Sequence, residues 1–182
     1  MTPAVRTRSR RTLFRGRILR LVEDELEVRG RRLTRQSILH PGAVVIVPML
    51  DRSHLVFVRQ YRHAVRRTLL ELPAGTLEPD EPRATCARRE LQEETGWRAR
   101  RLRRIGQFYA APGFLSEQLT VFLAEGLRPA PQRLEPDEVV VPVVLTLRQA
   151  LAKVRSGAIC DAKTIIGVLF AERLLTRRSG GT

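Results

Sequence analysis

The chain has 182 residues, 43% of them hydrophobic and 29% charged, a composition typical of one globular domain with a substantial core. The formal net charge is +14, from 33 Lys and Arg against 19 Asp and Glu. No apolar run approaches the roughly 18 residues that cross a bilayer, since the longest cover only 43–50 and 139–145. We therefore expect no membrane partner.

The basic residues do not form a nucleic-acid signature. Only Lys153 and Lys163 are lysines, the arginines are scattered over the whole length, and no aromatic residues are interleaved with them. Base recognition relies on clustered basic residues and on aromatic side chains that stack on bases. We therefore expect no specific nucleic-acid partner, whereas a positive field would attract a small anionic substrate.

The cysteines and the N-terminal residues bear on location. Cys86 and Cys160 form neither a CxxC pair nor a disulfide framework, so free thiols in a reducing compartment are expected. The N-terminal residues carry charge without the apolar segment of an export signal. These features predict a cytoplasmic location.

The first third of the chain predicts an arm followed by strands. Residues 1–12 show neither a helical nor a strand period and are expected to form a mobile basic arm. Residues 13–40 carry short alternating apolar runs on both sides of Gly30, a pattern that favours a hairpin or small sheet. The runs at 43–50 and 54–61, separated by three polar residues, predict two antiparallel neighbouring strands.

A helix is predicted in the middle of the chain, and more strands and helices after it. Asp80 is the expected N-cap of this helix and Gly96 its stop. The later elements follow in chain order: strands at 101–110, 117–127 and 139–145, then helices at 147–154 and 165–175. Pro142 favours an edge position for the last strand. This order predicts an α+β domain.

Three carboxylates crowd the central helix of this basic chain. Glu90, Glu93 and Glu94 share about a third of the helix circumference, beside an apolar side that contains Leu91. The carboxylates are expected to point outward along the rim of that packing surface. Because like charges repel at this spacing, they need positive partners: Arg89 for Glu93, and a hard divalent cation for the other two. A solvated helix face with salt bridges is the competing interpretation.

The spacing of residues around the helix favours the metal interpretation. Gly75 is followed after five residues by Glu81 and, after seven more, by the run RELQEETGW at 89–97. This pattern resembles the Nudix box, Gx5Ex7REUxEExGU, in which U is a bulky apolar residue. Seven specified residues at fixed spacing coincide by chance on the order of 10^-8 times per starting position. The one departure is Trp97, where an aliphatic residue is usual.

The resemblance implies the Nudix fold, an α/β/α sandwich around a mixed sheet, over residues 41–176, with the small β segment at 13–40 added in front. The family hydrolyses nucleoside diphosphates linked to another moiety, by attack of water at phosphorus. The implied metal ligands are Glu90, Glu94 and the carbonyl of Ala74, and Glu93 is either a further ligand or a support for the others. Mg²⁺ is the expected ion and Mn²⁺ is possible.

Other positions of the motif carry implied roles as well. Glu93 is also a catalytic residue, and Arg89 orients the carboxylates through a salt bridge. Gly75 gives the turn into the loop before the helix. Glu81 shapes that loop, and Gly96 ends the helix.

The flanks of the motif resemble one subfamily, the ADP-ribose and nucleotide-sugar pyrophosphatases. The upstream run VRQYRHAVRRTLLELPAG and the downstream run GAICDAKTIIGVLF both match it. Pro112 lies sixteen residues beyond Gly96, a spacing usually associated with ADP-ribose hydrolysis. The resemblance covers about residues 14–175 and implies conversion of ADP-ribose to AMP and ribose 5-phosphate.

Further candidates lie outside the motif. Arg59 and Arg62, at the end of a predicted strand, suit forked hydrogen bonds to a pyrophosphate or terminal ribose, and relatives use an arginine at the second position. Glu71 either contacts substrate or is an internal salt-bridge partner. Relatives place a glutamate of a late loop as catalytic base; Glu138 is the candidate here, with Glu135 as the alternative.

Assembly and two alternative functions complete these expectations. Relatives form homodimers through their N-terminal strands, and residues 14–40 are too few to bury a core of their own, so a homodimer is expected. The chain could instead hydrolyse another nucleoside diphosphate sugar or a dinucleotide. It could also be a non-catalytic Nudix protein that binds a ligand or nucleic acid, although its carboxylate set is intact.

Overall fold

The computed structural model describes residues 5–134 and 139–179, and these form two compact units. The first unit contains residues 5–42 and 109–118, and the second contains the remaining described residues. None of the described helices is long and apolar enough to cross a membrane.

The first unit contains an antiparallel sheet of three strands. These are β1 (Val5–Arg15), β2 (Arg20–Val28) and β3 (Arg31–Leu39), hydrogen-bonded in the order β1-β2-β3. Arg29 and Gly30 form the turn between β2 and β3, both with positive φ, at 53° and 74°. The hairpin predicted around Gly30 is confirmed.

The predicted mobile arm at 1–12 needs correction, because residues 5–12 belong to β1. The strand carries no apolar period, but it pairs with β2 along an antiparallel ladder, and opposite charges lie side by side on the two strands. Ion pairs join arginines of β1 to carboxylates of β2: Arg8 to Glu27, Arg10 to Asp24 and Arg11 to Glu23. Opposite charges on directly neighbouring strands stabilise a sheet.

The second unit contains two sheets and three α-helices. In chain order its elements are β4 (Ala43–Pro48), β5 (His54–Arg62), a 3₁₀ turn (His63–Val65), β6 (Arg67–Glu71), β7 (Ala74–Thr76), α1 (Arg83–Thr95), β8 (Trp97–Tyr109), β9 (Gln118–Pro129), β10 (Val140–Thr146), α2 (Leu147–Arg155) and α3 (Ala162–Ser179). The strand orders are β7-β4-β9-β8 and β10-β5-β6.

β4 lies inside the four-stranded sheet, and all six of its residues are buried. It pairs antiparallel with β7 and parallel with β9, so this sheet is mixed. Val44 and Ile46 pack with Leu91 of α1 in one apolar cluster, whereas Val45 and Val47 pack with residues of α2 and α3 in another. Helices therefore cover both faces of β4, which confirms the predicted α/β/α sandwich.

The predicted antiparallel pairing of the runs 43–50 and 54–61 is wrong. β4 and β5 lie in different sheets, and among the described residues a single bridge, Met49 to Leu55, joins them. A strand that is apolar on both faces is typical of the interior of a sheet covered by helices, where parallel pairing is common. The short link between β4 and β5 therefore carries the chain from one sheet to the other.

The ends of α1 agree only in part with the sequence. Its C-cap is Gly96 in the left-handed conformation (φ 69°), as predicted. Its N-cap is Pro82 rather than Asp80, which lies in the preceding turn with φ 59°. The edge position of β10 and the two late helices are confirmed, the last beginning at Ala162.

Candidate metal and substrate site

Two of the three clustered carboxylates on α1 are buried. Glu90 is 8% exposed and Glu94 2%, while the side chain of Glu93 is 30% exposed. The sequence predicted all three along an outer rim, which is wrong for Glu90 and Glu94. Burying a carboxylate costs free energy unless charged or hydrogen-bonding partners compensate, so these partners define the site.

Gly75 provides the space that Glu90 occupies. A Cβ atom at residue 75 would lie 1.8 Å from Oε1 and 1.9 Å from Cδ of Glu90, distances at which atoms overlap. Gly75 lies within β7 opposite Val44, and its φ is outside the left-handed region. The predicted role in a turn is therefore wrong, since this position needs glycine for close approach.

Arg89 is the shared partner of the carboxylates around α1. Its Nε and Nη2 donate to Oε1 and Oε2 of Glu81, both at 3.0 Å. Its Nη1 donates to Oε1 of Glu90 at 2.8 Å and to Oε2 of Glu93 at 3.1 Å, the latter being the predicted i,i+4 pair. The hydrogen bonds that Arg89 donates to Glu81, followed by the charge of Glu90, raise the pKa of Arg89.

Glu94 is held by the backbone of the first residue of β7. The amide of Ala74 donates to Oε2 of Glu94 at 3.0 Å. One residue earlier, the carbonyl of Pro73 accepts from the amide of Ile46 at 2.8 Å. The buried carboxylate is thus fixed relative to β4. Metal coordination by the carbonyl of Ala74 stays a prediction.

Arg62 and Glu71 form a forked ion pair at the ends of β5 and β6. Nε of Arg62 donates to Oε1 of Glu71 at 2.9 Å, and Nη2 to Oε2 at 2.7 Å. Glu71 is only 1% exposed and also bonds Nζ of Lys163. Of its two expected roles, the geometry is that of an internal salt-bridge partner.

The charge of a carboxylate on α1 acts on this ion pair. Burial raises the pKa of Glu71, but hydrogen bonds from Arg62 and the charge of Lys163 outweigh burial and lower it below its usual value. The hydrogen bond to Glu71 raises the pKa of Arg62, and the charge of Glu94 raises it further. Arg62 therefore lies within the electrostatic field of the buried carboxylate on α1.

The remaining predicted site residues are Arg59, Pro112, Glu135 and Glu138. Arg59 is exposed and lies on the opposite face of β5 from Arg62. Pro112 lies in a turn of the first unit, next to residues that bond β3. Glu135 and Glu138 lie outside the described residues. Of their described flanks, Arg133 donates its amide to the carbonyl of Glu93 at 3.3 Å, and Val140 pairs with Gln60.

The donor set suits a hard divalent cation. Glu90, Glu93 and Glu94 supply carboxylate oxygens within little more than one turn of one helix, and Mg²⁺ prefers such ligands. Across residues 5–134 and 139–179, no three His, Cys, Asp or Glu side chains converge into a group that could hold a metal. Arg89 bonds two of the three carboxylates, Glu90 and Glu93.

Fold and site together define a class of protein. It is an α/β/α domain in which the helix α1 carries a cluster of carboxylates against the strand β7. The NUDIX domain family model matches residues 39–165. An ADP-ribose pyrophosphatase of Bacillus subtilis (strain 168) is 36% identical over 170 residues, 92% of each chain. A methanol dehydrogenase activator of Bacillus methanolicus is 34% identical over 163 residues, 88% of each chain. The chain therefore belongs to the Nudix family.

A solved structure supports the fold independently of close sequence similarity. The crystal structure of an ADP compounds hydrolase superimposes with a TM-score of 0.85, over 98% of this chain and 96% of that chain. Its sequence identity is 24%, so the likeness concerns the fold.

Sequence reasoning missed the residues that α3 contributes. Lys163 bonds Glu71, and Thr164 accepts the amide of Leu72 at 2.8 Å. Both belong to the run DAKT, noted for its resemblance but given no role. A signal was present, because only two of the 33 basic residues are lysines and one of them is Lys163.

Replacing Gly75 with alanine tests the space around Glu90. We expect the Gly75→Ala variant to lose about 1–3 kcal/mol of unfolding free energy, because the new methyl group displaces a buried, ion-paired carboxylate. Urea denaturation measures this loss. Gly113→Ala is the matched control, since nothing lies within 4 Å of a Cβ at that position. Equal stability of the two variants would contradict the proposed packing.

The pair between Glu81 and Arg89 predicts a pH-dependent contribution to stability. Hydrogen bonds from Arg89 lower the pKa of Glu81 from its ordinary value of 4.5. The pair therefore stabilises the fold fully above about pH 4.5, and this stabilisation disappears as pH falls through the lowered pKa. We expect Glu81→Gln to cost about 1–3 kcal/mol at pH 7 and progressively less below pH 4.5.

Unfolding at several pH values measures this difference. Glu78→Gln is the control, because the Glu78 side chain is 66% exposed and lies 4.0 Å from Arg89. A deficit of Glu81→Gln that stays constant from pH 7 to pH 3 would show that the carboxylate charge is not responsible.

Proposed function

We propose that this chain is a metal-dependent Nudix pyrophosphohydrolase that hydrolyses ADP-ribose to AMP and ribose 5-phosphate. The observation that carries the proposal is the cluster of Glu90, Glu93 and Glu94 around Arg89, within a chain that matches an ADP-ribose pyrophosphatase along 92% of its length. Such a cluster suits the chemistry of phosphate esters, in which carboxylates hold a cation beside the reacting group.

Four residues would hold the metal ion: Glu90, Glu93, Glu94 and, through its carbonyl, Ala74. Mg²⁺ is the proposed ion, with Mn²⁺ as the alternative. Its contribution would be to neutralise the charge that develops on the pyrophosphate during hydrolysis. Arg89 orients Glu90 and Glu93, while the amide of Ala74 orients Glu94.

The proton balance requires a base. In hydrolysis a water molecule gives up a proton, its oxygen bonds to phosphorus, and the bridging P–O bond breaks to release the two products. Glu138, or alternatively Glu135, is the proposed acceptor of that proton. Support comes from the described flanks of this loop, since Arg133 bonds the backbone of Glu93. Glu93, the most exposed of the three helix carboxylates, is proposed as a further catalytic residue.

Arg62 is the proposed anchor for the anionic substrate. Its bonds to Glu71 occupy Nε and Nη2, and its side chain is 37% exposed. Nη1 is therefore in a position to donate to a phosphate or ribose oxygen, with Glu71 fixing the plane of the guanidinium. Arg59 and Pro112 remain candidates for contacts with other parts of the substrate.

Both cysteines of the chain are free thiols, Cys86 buried and Cys160 exposed. Free thiols persist in reducing compartments. They support a cytoplasmic location as part of the proposal.

The wild-type protein should hydrolyse ADP-ribose with a higher kcat/KM than it hydrolyses ADP-glucose, GDP-mannose, NADH or oxidised dGTP. Its activity should vanish with EDTA and return with Mg²⁺ or Mn²⁺. Product analysis by chromatography should show AMP and ribose 5-phosphate. A comparable or higher kcat/KM for another member of this panel would assign the same chemistry to a different nucleotide substrate. The lack of any metal-dependent hydrolysis would favour a ligand-binding role.

The carboxylate variants test the site in the same assay. Glu93→Gln and Glu94→Gln should each lower kcat by about 100-fold or more, because each removes a charge at the centre of the reaction. Glu172→Gln on α3 is the matched control and should keep full activity. A loss of less than twofold in either site variant would place the reaction elsewhere.

The protein should form a homodimer through its N-terminal sheet. Large apolar side chains are exposed on and beside β1, among them Val5, Phe14 and Ile18, and such exposure is typical of an interaction surface. Light scattering at micromolar concentration should therefore give about twice the mass of 20.7 kDa. Phe14→Asp should weaken the dimer, and a monodisperse wild-type monomer would contradict the proposal.

A further inference from the structure

The N-terminal turn of α3 is fixed to the segment that precedes β7. Oδ2 of Asp161 accepts from the amide of Thr164 at 3.0 Å and from its hydroxyl at 2.6 Å. The oxygen of that hydroxyl accepts the amide of Leu72 at 2.8 Å, and Thr164 is fully buried. Gly167 permits the close approach, since a Cβ there would lie 2.4 Å from Cδ1 of Leu72. This end of α3 is therefore rigidly attached one residue after Glu71.

Lys163 extends from this turn to Glu71. Its Nζ bonds Oε2 of Glu71 and lies 3.0 Å from Oδ1 of Asp161, and its side chain is only 15% exposed. A lysine this deeply buried loses hydration, so its charge must be matched by carboxylates. With Arg62, the cluster contains two cations and two carboxylates and is electrically balanced.

Glu71 joins Lys163 to Arg62. Its carboxylate is 1% exposed, and Oε2 accepts from both cations, at 2.7 Å from Nη2 of Arg62. The fork from Arg62 is geometrically specific, because Nε and Nη2 bond separate oxygens of one rigid carboxylate. The direction of the guanidinium is thus set by Glu71, and the place of Glu71 is set in part by Lys163.

We infer that Lys163 is a positioning residue for substrate binding. It holds Glu71 in place, and Glu71 in turn directs the guanidinium of Arg62 toward the anionic pyrophosphate. The inference rests on the proposed function, because Arg62 acts on the substrate of that reaction. Without Lys163, one cation faces two carboxylates. The guanidinium is then drawn toward Glu71, and the surplus negative charge repels the substrate.

Substitution of Lys163 separates substrate binding from turnover. Lys163→Met should raise the Kd of ADP-ribose about tenfold, measured by calorimetry in EDTA, where no hydrolysis occurs. With Mg²⁺, KM should rise by a similar factor while kcat changes less than about threefold. Lys163→Arg keeps the charge and should stay within about threefold of wild type. Lys153→Met is the matched control and should leave all three constants unchanged.

A double-mutant cycle with Arg62→Gln tests whether Lys163 acts through Arg62. In the Arg62→Gln background, Lys163→Met should change Kd by less than about twofold, because the residue that it positions is gone. A tenfold effect that persists in this background would show that Lys163 acts by its own charge. An unchanged Kd in the single variant would also overturn the inference.

Failure of the proposed function gives a different result. If wild type neither binds nor hydrolyses ADP-ribose, the double-mutant cycle is measured with the member of the substrate panel that it does hydrolyse. The coupling between Lys163→Met and Arg62→Gln then decides the role of Lys163. Thermal denaturation of each variant accompanies these measurements. If the Lys163→Met variant does not fold, Lys163→Arg and Arg62→Gln test the inference in its place. An Arg62→Gln variant that binds the substrate as tightly as wild type does would overturn the inference.

Discussion

The contact between one guanidinium and three carboxylates is the constraint on which this site depends. Arg89 bonds Glu81, Glu90 and Glu93, and without its charge the inner face of α1 would carry repelling anions beside an apolar sheet. The arrangement concentrates partly buried negative charge, which favours a nearby cation, inside a protein that is strongly basic elsewhere. The positive surroundings favour the arrival of an anionic substrate, and the proposed role of the carboxylates is to hold the cation that accompanies it.

The segment from Glu71 to Ala74 gives the site its geometry. Within four residues it bonds β5, α3, β4 and α1, through the Glu71 side chain, the Leu72 amide, the Pro73 carbonyl and the Ala74 amide in turn. Such a segment has little freedom to move without disturbing every layer of the sandwich. Arg62, the proposed substrate anchor, and the buried Glu94 are therefore held by a single short piece of backbone.

The sequence predicted what depends on local spacing. The helix with its glycine stop, the edge strand with Pro142, the hairpin at Gly30 and the Arg89–Glu93 pair all follow from residues close together in the chain. What it could not predict depends on distant partners. Gly75 forms no turn but must leave space for Glu90. The arginines of β1 pair with acids of β2, and β4 pairs with β9 rather than with β5, its neighbour in the chain. None of these partners can be identified from a local pattern.

The attachment of α3 to Glu71 and Leu72 has a consequence for how the protein is made. The bonds from Lys163 and Thr164 each join residues 92 positions apart, so they close one of the longest loops in the chain. A ribosome delivers β5, β6 and α1 well before α3 emerges. Arg62 and Glu71 thus exist in the nascent chain before the bond from Lys163 that holds Glu71, and this cluster is complete only when the C-terminal helix docks.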